Sequence, residues 1–122
     1  MKQAGDRNNR TIGTKYEQIA LNYLQQANYE ILESNYRSRT GEIDIVAKDG
    51  EYYVFVEVKY RTTTRSGHPA EAVDYRKQQK ITNTARLYLY THQLSEFTPC
   101  RFDVVVILGN TIELYKNAFE AI

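Results

Sequence analysis

Apolar residues recur at helical spacing in two segments of the chain. In the first, they repeat every three or four positions and predict a helix over residues 12–27. The same periodicity predicts a second helix over residues 75–92, with Asp74 suited to cap its N-terminus. Residues 1–10 lack this pattern and are predicted to form a flexible N-terminal arm.

Strand patterns occupy much of the remaining chain. Residues 29–35 predict a short strand or an extended connection. Residues 41–60 predict a β-hairpin, because β-branched and aromatic residues flank the turn-forming pair Asp49-Gly50. Another strand is predicted over residues 101–108, whose continuous apolar run suggests burial on both faces, and a further one over residues 111–115.

The order helix, strands, helix, strands predicts an α/β fold with a central mixed sheet and helices packed against it. A length of 122 residues fits one domain, which we place at residues 11–122. The chain lacks an apolar run near the roughly 20 residues of a membrane helix. Its first residues also lack the apolar centre of a secretory signal. We therefore expect a cytoplasmic protein with no membrane partner.

Charge is unevenly distributed along the chain, although the net charge is only +1. Residues 59–80 hold six basic and two acidic side chains, whereas the remainder is net negative. Such a local positive field could hold a phosphate backbone. The alternative is an ordinary solvated surface. Cys100 is the only cysteine, which excludes an internal disulfide and a thiolate zinc cluster.

The hairpin carries the strongest chemical signal in the sequence. Glu57 and Lys59 point to one face of the second strand, since side chains alternate across a strand. Depending on the turn, Asp44 lies opposite Phe55 or opposite Glu57. Opposed carboxylates destabilise a sheet, so a cation should offset their repulsion. Mg²⁺ or Mn²⁺ suits two carboxylates completed by water and a substrate phosphate.

These residue types fit phosphodiester hydrolysis. A metal on Asp44 and Glu57 can polarise a phosphate and acidify a water molecule. The ammonium of Lys59 can orient that water or stabilise developing negative charge. The backbone carbonyl of Val58, between them, is a further candidate ligand. The alternative for the same spacing is a surface ion-pair group without catalysis.

The residues also resemble a known family. Residues 41–47 (GEIDIVA) and 54–61 (VFVEVKYR) resemble the PD-(D/E)XK nuclease superfamily. More narrowly, the chain resembles the YraN family of small bacterial predicted endonucleases, related to archaeal Holliday-junction resolvases. Further matches cover nearly all of the chain beyond the arm: Gly13, Glu17, Ala20, Asn35-Tyr36-Arg37, Lys77-Gln78, Ala85, Arg101-Phe102-Asp103-Val104 and Asn117-Ala118-Phe119.

The resemblance implies a restriction-endonuclease-like fold and a nuclease site. By that pattern Asp44 and Glu57 are metal ligands, Lys59 is the catalytic lysine, and Glu17 is a further acidic member, with ligation through water as one option. The expected substrate is DNA, including branched or structured DNA. A junction resolvase cuts two strands symmetrically, so that reading also implies a two-fold homodimer.

We expect the nucleic-acid contacts to come from basic and polar side chains around this site. They would be mainly contacts to phosphates and therefore independent of sequence. An inactive nucleic-acid-binding or architectural module that uses the same basic face is the alternative function. The candidate contact residues are Arg37, Arg39, Arg61, Arg65, Lys77, Gln78 and Lys80.

Overall fold

The computed structural model describes the backbone of residues 4–61 and 73–122, and the side chains of residues 15–61 and 73–122. Over these residues the chain forms two helices and five strands, in the order α1 (Ala4–Gln26), β1 (Glu30–Ser38), β2 (Gly41–Asp49), β3 (Tyr52–Arg61), α2 (Tyr75–Thr91), β4 (Cys100–Leu108) and β5 (Thr111–Phe119). The loop predicted after β3, which includes Arg65, lies outside the described residues.

One five-stranded sheet in the order β1-β2-β3-β4-β5 forms the centre of the fold. Sequence neighbours joined by short turns pair antiparallel, whereas β3 and β4 pair in parallel. A parallel pair needs a long crossover connection, and here that connection contains α2. The predicted α/β fold with a mixed sheet flanked by helices is confirmed. No helix in the described ranges has the length and apolarity needed to span a membrane.

The element bounds differ from the predictions at three ends. Helix α1 begins at Ala4 rather than near residue 12, so residues 4–10, assigned to the arm, continue the helix. Apolar periodicity marks only the packed part of a helix, and adding a turn to an existing helix needs no new nucleus. Strands β1 and β5 also extend further than predicted, to Ser38 and Phe119. These are the two edge strands, and their exposed residues obscure the strand pattern.

Apolar side chains cover both faces of the sheet. On one face, α2 buries Ile81 and Tyr88 against Phe55 and Val104. The layer on the other face includes Ala20 and Leu24 of α1 and the strand residues Ile45, Val56 and Val105. Because the neighbours Val104 and Val105 belong to opposite layers, the prediction that β4 is buried on both faces is confirmed.

A buried ionic network lies at the end of the sheet where α1 finishes. Asp103 is fully buried, and its carboxylate accepts hydrogen bonds from Tyr29 Oη at 2.7 Å, Arg101 Nε at 2.9 Å and the Asn117 amide at 2.9 Å. Arg101 also pairs with Asp49 at 2.8 Å. Every charge in the network therefore has a close partner, which offsets the cost of removing it from water. The network joins β2, β4, β5 and the start of β1.

We expect Asp103→Ala to lower the free energy of unfolding by about 3–5 kcal/mol, because it leaves the partly buried Arg101 guanidinium and the Tyr29 hydroxyl without their buried acceptor. Urea denaturation followed by circular dichroism measures the loss. Lys116→Ala is the matched control, since this half-exposed side chain lies 3.6 Å from Asp49 and should contribute less than about 1 kcal/mol. Equal losses in the two variants would contradict a buried structural role for Asp103.

Candidate active site

The candidate site lies where β2 and β3 separate. Their residue pairing runs from Asp49↔Tyr52 to Ile45↔Val56, and the next position on each strand is Asp44 and Glu57. The turn therefore centres on Gly50-Glu51, and Gly50 has the left-handed φ of 61° that glycine tolerates. Of the two registers considered for the sequence, the structure has the one that sets the carboxylates of Asp44 and Glu57 directly opposite each other.

The Asp44 side chain accepts the hydrogen bond that a backbone carbonyl of β2 would accept if the β2–β3 pairing continued. Its Oδ2 accepts a hydrogen bond from the Val58 amide at 2.8 Å, and its carboxyl group is close enough to Glu57 to raise the pKa of that side chain. The N–H and C=O of one strand residue point to the same side of the strand. The Val58 carbonyl thus points in the same direction as the amide that Asp44 binds.

Glu57 is a buried carboxyl group, with 7% of its surface exposed. Burial raises its pKa from 4.5 to about 8, and the nearby carboxyl group of Asp44 acts in the same direction. The positive charges of Lys77 and Lys59 oppose that rise. Lys77 Nζ lies 3.8 Å from Glu57 Oε2, and Lys59 is half-buried two residues further along β3. Without another cation, the carboxyl pair therefore tends to retain a proton near neutral pH.

Glu17 approaches the same region from α1. Burial is the largest cause of the raised pKa of its carboxyl group, followed by the negative charge of Asp44. The side chain of Asn35, at a left-handed position of β1 with φ 55°, partly opposes this rise in the pKa of Glu17. The Oε1 atom of Glu17 is nevertheless buried without any hydrogen-bond partner. A buried polar atom without a partner is uncommon and often marks the place of an ion or a water molecule.

A divalent cation fits these residues with a small inner set of ligands. Within residues 15–61 and 73–122, no three His, Cys, Asp or Glu side chains are grouped closely enough to hold a metal ion. Two carboxylates suffice for Mg²⁺, which keeps several waters and takes the rest from a substrate. The residues that would form this set are Asp44, Glu57 and the carbonyl of Val58, and Glu17, whose pKa is raised by the charge of Asp44, would act through water.

The other expected contact residues are only partly gathered around the carboxylates. Arg37 pairs with the exposed Glu42 at 3.3 Å. The Gln78 side-chain amide donates to the Val73 carbonyl at 2.8 Å, so it belongs to the start of α2. Arg39 and Lys80 are exposed, and Arg61 is half-buried at the end of β3. Lys77, another of the expected contact residues, lies at the site, and its contact with Glu57 is one that the sequence did not indicate.

Sequence reasoning also missed an aromatic pair beside the site. The rings of Tyr16 and Tyr60 stack with their centroids 4.0 Å apart and their planes at 19°. The pair connects α1 to β3 and adjoins Glu17 and Lys59 in the sequence. The sequence alone does not reveal the stacking, because it joins two elements that are far apart in the chain.

A mixed sheet between two helices, with carboxylates where two strands part, is compatible with the restriction-endonuclease-like class of proteins. The family model described as "Uncharacterised protein family UPF0102" matches residues 16–107, and the chain belongs to this family. The resemblance to the YraN family is thereby confirmed, since the YraN family is UPF0102.

Relatives from this family are similar to this chain over nearly its whole length. A UPF0102 protein of Lachnoclostridium phytofermentans is 55% identical over 114 residues, which are 93% of this chain and 97% of the relative. A UPF0102 protein of Clostridium kluyveri is 45% identical over 118 residues, 92% of this chain and 96% of the relative. One from Clostridium botulinum is 43% identical with the same coverage. Their names assign no activity.

We expect the metal-free protein to lose stability as pH rises from about 4.5 to about 8, the unfolded and folded pKa values of Glu57. The folded state retains a proton that the unfolded chain releases. The contribution of the protonated Glu57 carboxyl group to the free energy of unfolding is therefore complete below about pH 4.5 and is lost as the pH rises through about 8. One pKa unit corresponds to about 1.4 kcal/mol, which makes the effect on the order of a few kcal/mol.

Urea denaturation in a chelator across this pH range measures the effect. Glu57→Gln is the comparison, because the difference between the two proteins isolates this carboxyl group from the other titrating groups. The same pH slope in both proteins would show that Glu57 is not the group responsible.

Proposed function

We propose that this chain is a metal-dependent endonuclease that hydrolyses phosphodiester bonds in DNA, including branched or structured DNA. The observation that carries the proposal is the pair of neighbouring carboxyl groups on Asp44 and Glu57, one position beyond the last β2–β3 pair, with the positive charges of Lys59 and Lys77 acting on Glu57. Burying two like charges is unfavourable for stability alone. A cation-binding role explains why both carboxylates are present.

Mg²⁺ or Mn²⁺ would be held by Asp44, Glu57 and the Val58 carbonyl. When bound, such an ion polarises a phosphate oxygen and lowers the pKa of a water molecule. The hydrogen bond from the Val58 amide orients the Asp44 carboxylate. The Glu17 carboxylate, with its unpartnered Oε1, would accept a hydrogen bond from a water molecule held at the site. The Lys59 ammonium stabilises negative charge on the phosphate or orients the attacking water.

DNA would reach the site along the basic side chains around it. Arg39 and Lys80 are exposed, and Arg37 lies at an exposed position next to Glu42 on the sheet edge. Such side chains bind phosphates, so the interaction would be independent of sequence and would weaken steeply as salt concentration rises. A second copy of the chain would supply the second cut at a symmetric junction.

We expect Asp44→Asn to reduce Mg²⁺- or Mn²⁺-dependent cleavage by more than about a hundredfold, because it removes one negative charge from the metal site. The asparagine oxygen can still accept the Val58 hydrogen bond, so the fold should survive. The measurement is a cleavage panel with single-stranded, duplex, flap and four-way DNA. Glu42→Gln, which neutralises an exposed carboxylate on the same strand, is the matched control and should cleave normally. Full activity of Asp44→Asn would refute the proposal.

We expect Glu17→Gln to weaken metal binding by roughly tenfold, the usual effect of an outer-shell partner, while leaving measurable cleavage. Calorimetric titration with Mn²⁺ gives the affinity. Glu30→Gln, an exposed carboxylate at the start of β1, serves as control and should leave the affinity unchanged. A loss as complete as that of Asp44→Asn would place Glu17 among the inner ligands instead.

A binding module without catalysis is the second candidate function. It is favoured by the small number of carboxylates in the described site and by the Lys77 ammonium beside Glu57, which together allow charge balance without a metal. It predicts salt-sensitive DNA binding and no product with any metal. Calorimetric detection of a Mn²⁺ site that disappears in Asp44→Asn separates the endonuclease from this alternative.

A further inference from the structure

Lys77 contacts the carboxylate site from α2, an element that carries none of the other residues assigned to catalysis. Its Nζ atom lies 3.8 Å from Glu57 Oε2. The two side chains differ in their surroundings, since 36% of the Lys77 side chain is exposed but only 8% of the Glu57 side chain. One end of this ion pair is therefore buried within the site, and the other is in contact with solvent.

The start of α2 is held firmly, so the position of Lys77 is not accidental. Asp74 caps the helix, and its Oδ1 accepts a hydrogen bond from the Lys77 amide at 2.8 Å. Val73, just before the cap, is 2% exposed and packs in the core with Phe55. The Gln78 side chain donates to the Val73 carbonyl. The backbone of Lys77 is fixed beside Glu57, while its long side chain remains free to change rotamer.

The ion pair itself is weak enough to exchange. A separation of 3.8 Å exceeds the 2.7–3.2 Å range of a hydrogen bond, so the contact is electrostatic only. A partly exposed pair of this kind contributes little net stability. The ammonium nevertheless acts directly on Glu57, because it lies 3.8 Å from a carboxyl group whose side chain is only 8% exposed, where charges are poorly screened.

We propose that Lys77 is a place-holding cation: it balances the negative charge that the Asp44–Glu57 pair keeps while no metal is bound, and it moves to a phosphate of the DNA when a divalent ion binds Glu57. The inference rests on the proposed nuclease function. A metal ion and an ammonium at the same carboxylate repel each other, so metal binding drives the exchange. The flexible stem of lysine allows the ammonium to move while its backbone stays in place.

If Lys77 exchanges in this way, removing its ammonium should change the affinities for the metal ion and for DNA in opposite directions. Removing the ammonium removes a competitor of the metal ion, so metal affinity should rise. The same change removes a phosphate contact, but only when metal is bound, because in the metal-free protein Lys77 is engaged with Glu57. A lysine with a purely structural role would lower both affinities, and a simple phosphate contact would leave metal affinity unchanged.

The test compares the full-length wild-type protein with Lys77→Met, Lys77→Arg and Lys80→Met. Calorimetric titration with Mn²⁺ alone should show about fivefold tighter binding to Lys77→Met, from the loss of a unit charge near 4 Å. Lys77→Arg should restore the wild-type value. Lys80→Met, which removes an exposed ammonium on the same helix, should leave it unchanged. Thermal denaturation of each variant checks that the fold is retained.

Fluorescence anisotropy with labelled four-way DNA completes the test. In a chelator, Lys77→Met should bind DNA as tightly as wild type, and with Ca²⁺ it should bind several-fold more weakly. Lys80→Met should be weaker in both conditions. If the wild-type protein binds Mn²⁺ normally but Lys77→Met binds it no more tightly, the proposed exchange is overturned, while the proposed nuclease function stands. Absence of a wild-type Mn²⁺ site that depends on Asp44 would overturn the proposed nuclease function and the exchange with it.

Discussion

The arrangement of the site depends on the hydrogen bond from the Val58 amide to the Asp44 carboxylate. An aspartate side chain satisfies a strand amide that would otherwise lose its partner where β2 and β3 separate. This contact holds the Asp44 carboxylate against β3 and next to Glu57, in spite of their like charges. The strands then diverge, which leaves room for Glu17 from α1 on one side and Lys77 from α2 on the other.

Two groups of buried acidic side chains in this fold differ in how completely they are hydrogen-bonded. Asp103 has close hydrogen bonds from Tyr29, Arg101 and the Asn117 amide, so its network is complete within the chain. At the candidate site, in contrast, Glu57 has a raised pKa and Glu17 retains a buried oxygen without a partner. Complete networks stabilise a fold, whereas incomplete ones are common at functional sites. This contrast separates the structural acids from the candidate catalytic ones.

The parallel pairing of β3 and β4 explains how α2 comes to contribute to the site. A parallel pair requires a crossover, and this one places α2 over the sheet face with its first turn near Glu57.

Membership in UPF0102 extends the architecture to relatives that are 43–55% identical over almost the whole domain. The place-holding role of Lys77 would make the metal and the DNA mutually dependent ligands, because each is affected by where that ammonium lies.

The sequence by itself determined the fold class, the hairpin and the two packed helix faces, because these depend on local periodicity and turn chemistry. It also determined that Asp44, Glu57 and Lys59 share one hairpin, but it left two registers open, since both turns suit the same residues. Only the tertiary structure decided the register, the contact of Lys77 with Glu57 and the stacking of Tyr16 on Tyr60. Those contacts join elements far apart in the sequence, where packing and not local pattern sets the distances.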